Sequence, residues 1–331
     1  MTPHGTHYRL YEPADGGANL GPPPPLVVLI HGIGDFSEMW APLAAFLSRE
    51  KGCRVLTFDF RGRGWSERDG GPADCTAAGH LRQVQQLLAH LQLAATPHHV
   101  VAHSMGGIVG ALHAADPAAP TTTLTLISPA GALRKHPAGC IPWALKRLCC
   151  CLTGCCCVPL LAKKVFNGDP PMADDYDETD GSGGGGGTTA EYLERGRARS
   201  RWALVWLRAQ AQSPSRRALG NQAFVYSVLH MPFTSVKRTA ERMFGPAADR
   251  ATPVYCLTAR GDPTCPDVDV AQYKQMFDRV THTEWKDGRH CFHQQCAERV
   301  FPAIHQFIAG GGIAGGGRQD DAAAQGLGFR V

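Results

Sequence analysis

The 331-residue sequence predicts an α/β fold, with a mostly parallel central sheet and helices on both faces. The first observation is that short, continuous apolar runs alternate with segments whose apolar residues have helical spacing. The second is that these runs are apolar at successive positions, as parallel strands buried on both faces require. The third is that the alternation occupies residues 7–130 and 250–308 and stops between them. These observations predict one sheet interrupted by an insertion.

The first half of the predicted sheet comes from five runs. The predicted strands are 7–13, 26–30, 53–60, 98–104 and 122–130, and the helices between them are 41–50, 76–91 and 106–115. The helix at 76–91 is the clearest, because its apolar residues repeat at i, i+3 and i+4: Leu81, Val84, Leu87, Leu88 and Leu91. Pro117 ends the helix at 106–115.

The second half of the sheet follows the insertion. We predict strands at 253–259 and 280–285 and helices at 269–277 and 294–308. The resulting domain organisation is a first half of the core, a cap or lid insertion, a second half of the core and a disordered tail, at 1–130, 131–250, 251–308 and 309–331. Within the insertion we expect a disordered Gly-rich stretch at 174–187 and a helix at 190–211.

Composition excludes some classes of function. The net charge is +4, with both signs spread along the chain, which argues against a nucleic-acid-binding protein. The N-terminus lacks the basic region and apolar core of a signal peptide, so we expect a cytoplasmic protein. In that compartment its 13 cysteines are expected to be free thiols.

Ser104 lies where a predicted strand passes directly into a helix. The stretch Ala102-His103-Ser104-Met105-Gly106 fits the nucleophile-elbow pattern G-x-S-x-G, with Ala at the first small position. A helix-capping serine in a glycine-rich turn is the alternative interpretation. A serine hydroxyl is a weak nucleophile, so the catalytic interpretation requires a base and an acid that orients the base.

Asp262 and His290 follow the next two predicted strands, in the chain order Ser, Asp, His expected of this pattern. Each has an ordinary alternative, since Asp-Pro is common in turns and His290 lies in a polar loop. Neither alternative explains why both residues follow strands that end at the same edge as Ser104. For an oxyanion, we expect backbone N–H donors from Met105 and from Ile33 in the glycine-rich loop 31–35.

Together these motifs resemble the α/β-hydrolase superfamily, in particular serine hydrolases with a cap insertion. The matching stretches are HGIGDFSEMW (31–40), FDFRGRGWSE (58–67), AHSMGG (102–107), ARGDPTCP (259–266) and DGRHCFH (287–293). The resemblance implies Ser104 as nucleophile, His290 as base and Asp262 as its orienting acid. It also implies a structural role for His103 and for the turn that contains Asp59, Arg61, Gly62 and Gly64.

The chain departs from the family pattern at two positions. Ala102 replaces the usual first glycine, and Arg289 separates Gly288 from His290. The second departure leaves His293 as an alternative base, although a second histidine three residues after the base is common in the family.

The stretch CCCLTGCCC, Cys149–Cys157, is uncharged between two basic pairs. Its uncharged run is too short for a membrane span, and it lacks the paired CxxC spacing of a zinc site. Two interpretations remain open: an acylated peripheral membrane contact and an apolar lid segment in which cysteine acts as a small hydrophobe.

The predicted activity is hydrolysis of a carboxylic ester, with a small-molecule ester or lipid-like substrate that carries an apolar acyl group. No cofactor or metal is expected to be required. Acyl transfer, thioester hydrolysis and a non-catalytic ligand-binding role on the same fold stay as alternatives.

Overall fold

The computed structural model describes residues 2, 5–13, 22–67, 71–135, 214–286 and 288–312, and for 214–221 the backbone alone. Three features predicted above therefore lie outside the described residues: the cysteine cluster 149–157, the Gly-rich stretch 174–187 and the helix at 190–211. The predicted tail lies outside them from residue 313 onwards.

Seven strands of the described chain form one sheet in the order β1-β3-β2-β4-β5-β6-β7. Only β1 is antiparallel to its neighbour, and the remaining pairs are parallel. The strands are β1 Tyr8–Tyr11, β2 Leu26–Ile30, β3 Arg54–Phe58, β4 His98–His103, β5 Thr121–Ile127, β6 Val254–Ala259 and β7 Val280–Trp285. The mostly parallel sheet predicted from the apolar runs is confirmed.

Eight α-helices are described. They are α1 Ala41–Ala45, α2 Ala77–His90, α3 Met105–Ala115, α4 Pro214–His230, α5 Val236–Phe244, α6 Val270–Met276, α7 Phe292–Gln295 and α8 Ala297–Ala309. A short 3₁₀ turn, Ser37–Trp40, precedes α1, and a wider helical turn, Phe46–Glu50, continues it. The single helix predicted at 294–308 is wrong in one respect: Cys296, with φ −118° and ψ 38°, interrupts it between α7 and α8.

The sheet is buried on both faces by separate apolar clusters. Along β2, Val28 and Ile30 point into the cluster that contains α2 and α3, whereas Val27 and Leu29 pack with α1 and α8. All five residues of β2 are buried, which explains why the strand appears in the sequence as an uninterrupted apolar run.

The insertion between β5 and β6 contributes two described helices, α4 and α5. The start of α5 is fixed to the segment that follows β5, because the Val236 N–H donates to the Gly131 carbonyl at 2.9 Å. Apolar residues of α4, among them Phe224 and Val228, join the same cluster as Met105. The described helices of the insertion therefore pack near the edge of the sheet at which Ser104 lies. No helix within the described ranges is long and apolar enough to cross a membrane.

Candidate active site

Ser104 occupies a sharp turn between β4 and α3. Its backbone has φ 53° and ψ −123°, a conformation that non-glycine residues rarely adopt. The turn is held by two backbone hydrogen bonds, from the Ser104 N–H to the Ile127 carbonyl at 3.0 Å and from the Ala130 N–H to the Ser104 carbonyl at 3.1 Å. Strain of this kind persists only where surrounding contacts fix it, and it clusters at functional sites.

Small residues let the strand and the helix approach each other closely at this turn. A Cβ on Gly106 would lie 2.6 Å from the Ile30 carbonyl oxygen, which is too close for any side chain. Gly106 therefore allows α3 to begin directly beside β2. This close approach is the physical reason for the small-residue pattern around Ser104.

His290 meets the serine hydroxyl. Its Nε2 lies 2.8 Å from Ser104 Oγ, although 186 residues separate the two in the chain. His290 lies in the loop after β7, at the same edge of the sheet as Ser104. The distance is that of a good hydrogen bond between an imidazole and a hydroxyl.

Asp262 completes the chain of contacts from the loop after β6. Its Oδ2 lies 2.9 Å from His290 Nδ1, and its Oδ1 lies 3.1 Å from the same nitrogen. Oδ1 also accepts the amide N–H groups of Thr264 at 2.8 Å and Cys265 at 2.9 Å. These amides hold the carboxylate in place against the imidazole.

The electrostatics of the pair favour the ionised carboxylate. Burial alone raises the pKa of Asp262, but the charge of His290 and the hydrogen bonds to its oxygens outweigh burial and place that pKa well below its ordinary value. Burial alone lowers the pKa of His290, and the Asp262 charge reverses this, so the pKa of His290 lies well above its ordinary value. The imidazole is thus made a stronger base.

His293, the alternative base, does not reach Ser104. It is buried against the rings of Trp40 and His103, with ring centroids 5.4 Å and 4.8 Å away. Neither of its ring nitrogens has a hydrogen-bond partner within the described residues. Burial, followed by the charges of His103 and His290, holds its pKa well below the ordinary value. His290 is therefore the histidine that the structure brings to the serine.

The two expected oxyanion donors are the backbone N–H groups of Ile33 and Met105. Met105 is the first residue of α3, where an N–H has no partner within its own helix. Ile33 lies in the loop after β2, and a Cβ on the preceding Gly32 would lie 3.1 Å from Ser104 Cβ. Both residues are buried beside the serine.

Two further histidines brace these loops. His103 donates from Nε2 to the His290 carbonyl at 3.0 Å, which ties the elbow to the loop that carries the base. His31 donates from Nδ1 to the Gly32 carbonyl at 2.7 Å and accepts the Phe60 N–H at Nε2, at 3.0 Å. Burial lowers the pKa of His31 to about 4, so its imidazole is neutral at pH 7.

Asp59 organises the turn after β3. Its carboxylate accepts the N–H groups of Ser37 at 2.6 Å and Trp65 at 2.8 Å, and lies 3.1 Å from His7 Nδ1. Gly64 has φ +49°, and a Cβ there would collide with the same carboxylate. The turn that contains Asp59 thus has the structural role expected from the sequence.

Two residues of the site were missed by sequence reasoning. Arg63, completely buried, donates from Nε to the Ile33 carbonyl at 2.8 Å and from Nη2 to Ser227 Oγ of α4 at 2.7 Å. Cys265 is buried, with its thiol sulfur within 4.8 Å of ligand atoms of Asp262 and His290. The first carried only a weak signal, an arginine in a glycine-rich turn, and the second only its position three residues after Asp262.

Comparisons with known proteins show which family the chain resembles. A model described as "Alpha/beta hydrolase family" matches residues 27–303. A putative carbamate hydrolase, RutD, of Variovorax paradoxus (strain S110) is 37% identical over 138 residues, which are 40% of this chain and 46% of that protein. Monoacylglycerol lipase ABHD6 of Homo sapiens is 29% identical over 107 residues, 32% of this chain and 31% of that protein. The matches thus span less than half the length of these relatives.

Solved structures show the same fold over most of both chains. An enol-lactonase from Burkholderia xenovorans LB400 has a TM-score of 0.61 and 22% identity, covering 92% of this chain and 96% of that one. A thermophilic esterase from Thermogutta terrifontis has a TM-score of 0.62 and 16% identity, covering 93% and 94%. The sheet order, the elbow at Ser104 and the match across residues 27–303 lead to one conclusion: the chain belongs to the alpha/beta hydrolase family.

Proposed function

We propose that the protein is a serine hydrolase that cleaves carboxylic esters through an acyl-enzyme, with Ser104, His290 and Asp262 as its catalytic triad. The observation that carries the proposal is the unbroken series of contacts from Ser104 Oγ to His290 Nε2 at 2.8 Å and from His290 Nδ1 to Asp262 Oδ2 at 2.9 Å. A buried serine held at a strained turn beside such a base has the arrangement required of an activated nucleophile.

Each proposed step follows from the positions of these atoms. Ser104 Oγ attacks the ester carbonyl while His290 Nε2 takes the hydroxyl proton. Asp262 keeps the Nδ1 proton facing its carboxylate and stabilises the imidazolium that forms. His290 then gives the proton to the departing alcohol. Water, activated by the same imidazole, releases the acid and regenerates Ser104.

The charge that develops on the carbonyl oxygen needs donors that are already in place. We assign this role to the N–H groups of Ile33 and Met105. Preorganised donors of this kind contribute on the order of 3–4 kcal/mol each to transition-state stabilisation. The reaction requires no cofactor.

An apolar acyl group is favoured by the surroundings of the two donors. Ile33 and Met105 belong to the same buried apolar cluster as Phe224, Val225 and Val228 of the inserted helix α4. Relatives described as monoacylglycerol lipases, and a fold neighbour described as an esterase, agree with an ester or lipid-like substrate. A peripheral membrane contact through Cys149–Cys157 remains a separate proposal, since that segment lies outside the described residues.

Labelling with a fluorophosphonate probe tests the nucleophile directly. The wild type is expected to be labelled and to hydrolyse p-nitrophenyl esters, whereas Ser104→Ala is expected to lose labelling and to lower kcat by about a millionfold. Ser48→Ala is the matched control, because Ser48 is also buried and, among the described residues, its hydroxyl donates to the Ala45 carbonyl of its own helical turn. Equal turnover by the wild type and Ser104→Ala would refute the proposal.

A series of p-nitrophenyl esters of increasing acyl length tests the substrate class. We expect kcat/KM to rise from acetate towards medium chains, because each buried methylene contributes about 0.8 kcal/mol. Product analysis with added alcohols or thioesters separates hydrolysis from acyl transfer and from thioester cleavage. A labelled serine without turnover of any of these substrates would favour a ligand-binding role.

A further inference from the structure

The thiol of Cys265 lies inside the proposed catalytic centre. Its side chain is buried, and it lies three positions after Asp262 in the turn after β6. Its own amide N–H donates to Asp262 Oδ1 at 2.9 Å, so the turn after β6 fixes thiol and carboxylate together. Three potential metal-ligand atoms lie within 4.8 Å of one another: a carboxylate oxygen of Asp262, the sulfur of Cys265 and a ring nitrogen of His290. The proposed mechanism makes no use of the thiol.

Thiolate sulfur, imidazole nitrogen and carboxylate oxygen are the donors that Zn²⁺ prefers, and three protein ligands with one open position are a common zinc arrangement. We propose that Asp262, Cys265 and His290 form an inhibitory Zn²⁺ site that competes with the catalytic use of the same groups. The fourth position would be taken by water.

Zinc binding requires the His290–Asp262 pair to open slightly and the Cys265 sulfur, which lies within 4.8 Å of the other two ligand atoms, to reach the same ion. Ligand atoms at 2.0–2.1 Å around a tetrahedral ion lie about 3.4 Å from each other. His290 Nδ1 and Asp262 Oδ2 are 2.9 Å apart, so replacing the proton between them with zinc moves them apart by about half an ångström. Meanwhile Asp262 Oδ1 keeps its amide donors, which anchor the carboxylate.

Inhibition follows from the tautomer of His290. With zinc on Nδ1, the neutral imidazole carries its proton on Nε2, the nitrogen that faces Ser104 Oγ at 2.8 Å. That nitrogen can then donate to the hydroxyl but cannot accept its proton. The charges also balance, because one carboxylate and one thiolate neutralise the ion in a buried site.

The metal-free state retains the proposed triad. A cysteine binds zinc as its thiolate, whereas the thiol is the neutral form of the side chain. Binding of Zn²⁺ replaces the thiol proton, which is released to solvent. Cys265 therefore takes no part in the reaction until a divalent cation such as Zn²⁺ binds.

Zinc titration of ester hydrolysis tests the inhibition, which rests on the proposed function. We expect Zn²⁺ to inhibit the wild type and EDTA to restore its activity. Mg²⁺, which prefers oxygen ligands alone, should have no effect at the same concentration. In Cys265→Ala the inhibitory concentration should rise at least tenfold, with each variant compared with its own EDTA-treated rate. Cys291→Ala, which removes the thiol beside His290 in sequence, is the matched control and should keep the wild-type sensitivity.

Equilibrium dialysis tests binding without turnover. Ser104→Ala should bind one more Zn²⁺ per chain than a double variant that carries both Ser104→Ala and Cys265→Ala. Zinc bound by the other cysteines cancels in this comparison, because both variants contain them. If Cys265→Ala fails to fold, as judged by circular dichroism, Cys265→Ser replaces it. Equal zinc sensitivity or equal stoichiometry with and without the Cys265 thiol would overturn the proposal. A one-zinc difference in a protein that hydrolyses no ester would leave the metal site standing and reject the proposed function.

Discussion

Arg63 is a buried cation whose hydrogen bonds connect the inserted helix α4 to the loop that carries a proposed oxyanion donor. It is completely buried, and its described partners are carbonyl or hydroxyl oxygens rather than carboxylates: Ile33, Ser227 and, at longer distance, Arg61 and Ala223. Burial lowers the pKa of Arg63 to about 10, so it remains charged at pH 7. Replacement by Met preserves length and removes both the charge and the donors.

The cost of Arg63→Met can be worked out from these contacts. The Ile33 carbonyl and the Ser227 hydroxyl would each lose a short hydrogen bond from a charged donor, worth about 1.5–3 kcal/mol. Relief of the desolvated charge offsets part of this loss, so we expect unfolding free energy to fall by about 2–4 kcal/mol. Arg63→Lys, which keeps the charge but can reach only one acceptor well, is expected to lose about half as much.

Activity should fall as well, because Ile33 is the residue whose N–H is proposed to bind the oxyanion. Outright loss of one donor lowers kcat by about 10²–10³-fold, and displacement of the loop should lower it by about 10–100-fold with KM nearly unchanged. Urea unfolding and steady-state kinetics on a p-nitrophenyl ester measure the two effects. Arg82→Met, at an exposed position on α2, is the control. Wild-type kcat in folded Arg63→Met would refute the coupling between α4 and the oxyanion loop.

Three further predictions concern the histidines. His290→Ala should lower kcat nearly as much as loss of the serine, whereas His293→Ala should chiefly lower stability, through the cavity left beside Trp40. Steady-state kinetics and thermal melts on both variants measure these effects. A larger loss of kcat in His293→Ala than in His290→Ala would exclude His290 as the base. Because Asp262 holds the pKa of His290 above its ordinary value and only the neutral imidazole accepts a proton, kcat/KM should fall as pH drops through a midpoint above about 6.5. Asp262→Asn should shift that midpoint to lower pH, and an unshifted midpoint would contradict the assigned cause. Burial lowers the pKa of His99 to about 4, so its contribution to stability is complete above pH ~6.5 and is lost as pH falls towards ~4, at about 1.4 kcal/mol per pH unit. Urea unfolding of the wild type and His99→Gln across this range should give a shallower pH dependence for the variant, and identical slopes would show that His99 is not the group responsible.

The sequence located the three proposed catalytic residues because each is tied to the end of a strand. Ser104, Asp262 and His290 follow β4, β6 and β7, and the carboxyl ends of parallel strands meet at one edge of the sheet. Apolar runs and helical spacing are local properties, so they indicated the strands and, through them, the shared edge. The sequence alone does not choose between His290 and His293, since they lie three positions apart; the structure places His290 in the loop after β7 and His293 in α7.

Local sequence patterns do not predict contacts between segments that are distant in the chain. The bond between Arg63 and Ser227 joins residues 164 apart, and nothing around either residue indicates the other. The break at Cys296 separates α7 from α8 although the apolar spacing continues through it. In both cases tertiary packing decides which backbone and side-chain geometry is adopted, and local periodicity does not report it.

The sequence by itself determined the order of strands and helices along the chain and the strained turn at Ser104. It also determined that Ser104, Asp262 and His290 lie at the same edge of the sheet. These follow from hydrophobic periodicity and from the need for small residues where backbones nearly touch. The tertiary structure alone decided that Nε2 of His290 faces the serine, that His293 turns towards Trp40 and that the Cys265 thiol lies close to Asp262 and His290. The physical reason is that side-chain direction depends on how the loops pack against one another, and that packing is set by burial and hydrogen bonding across the whole fold.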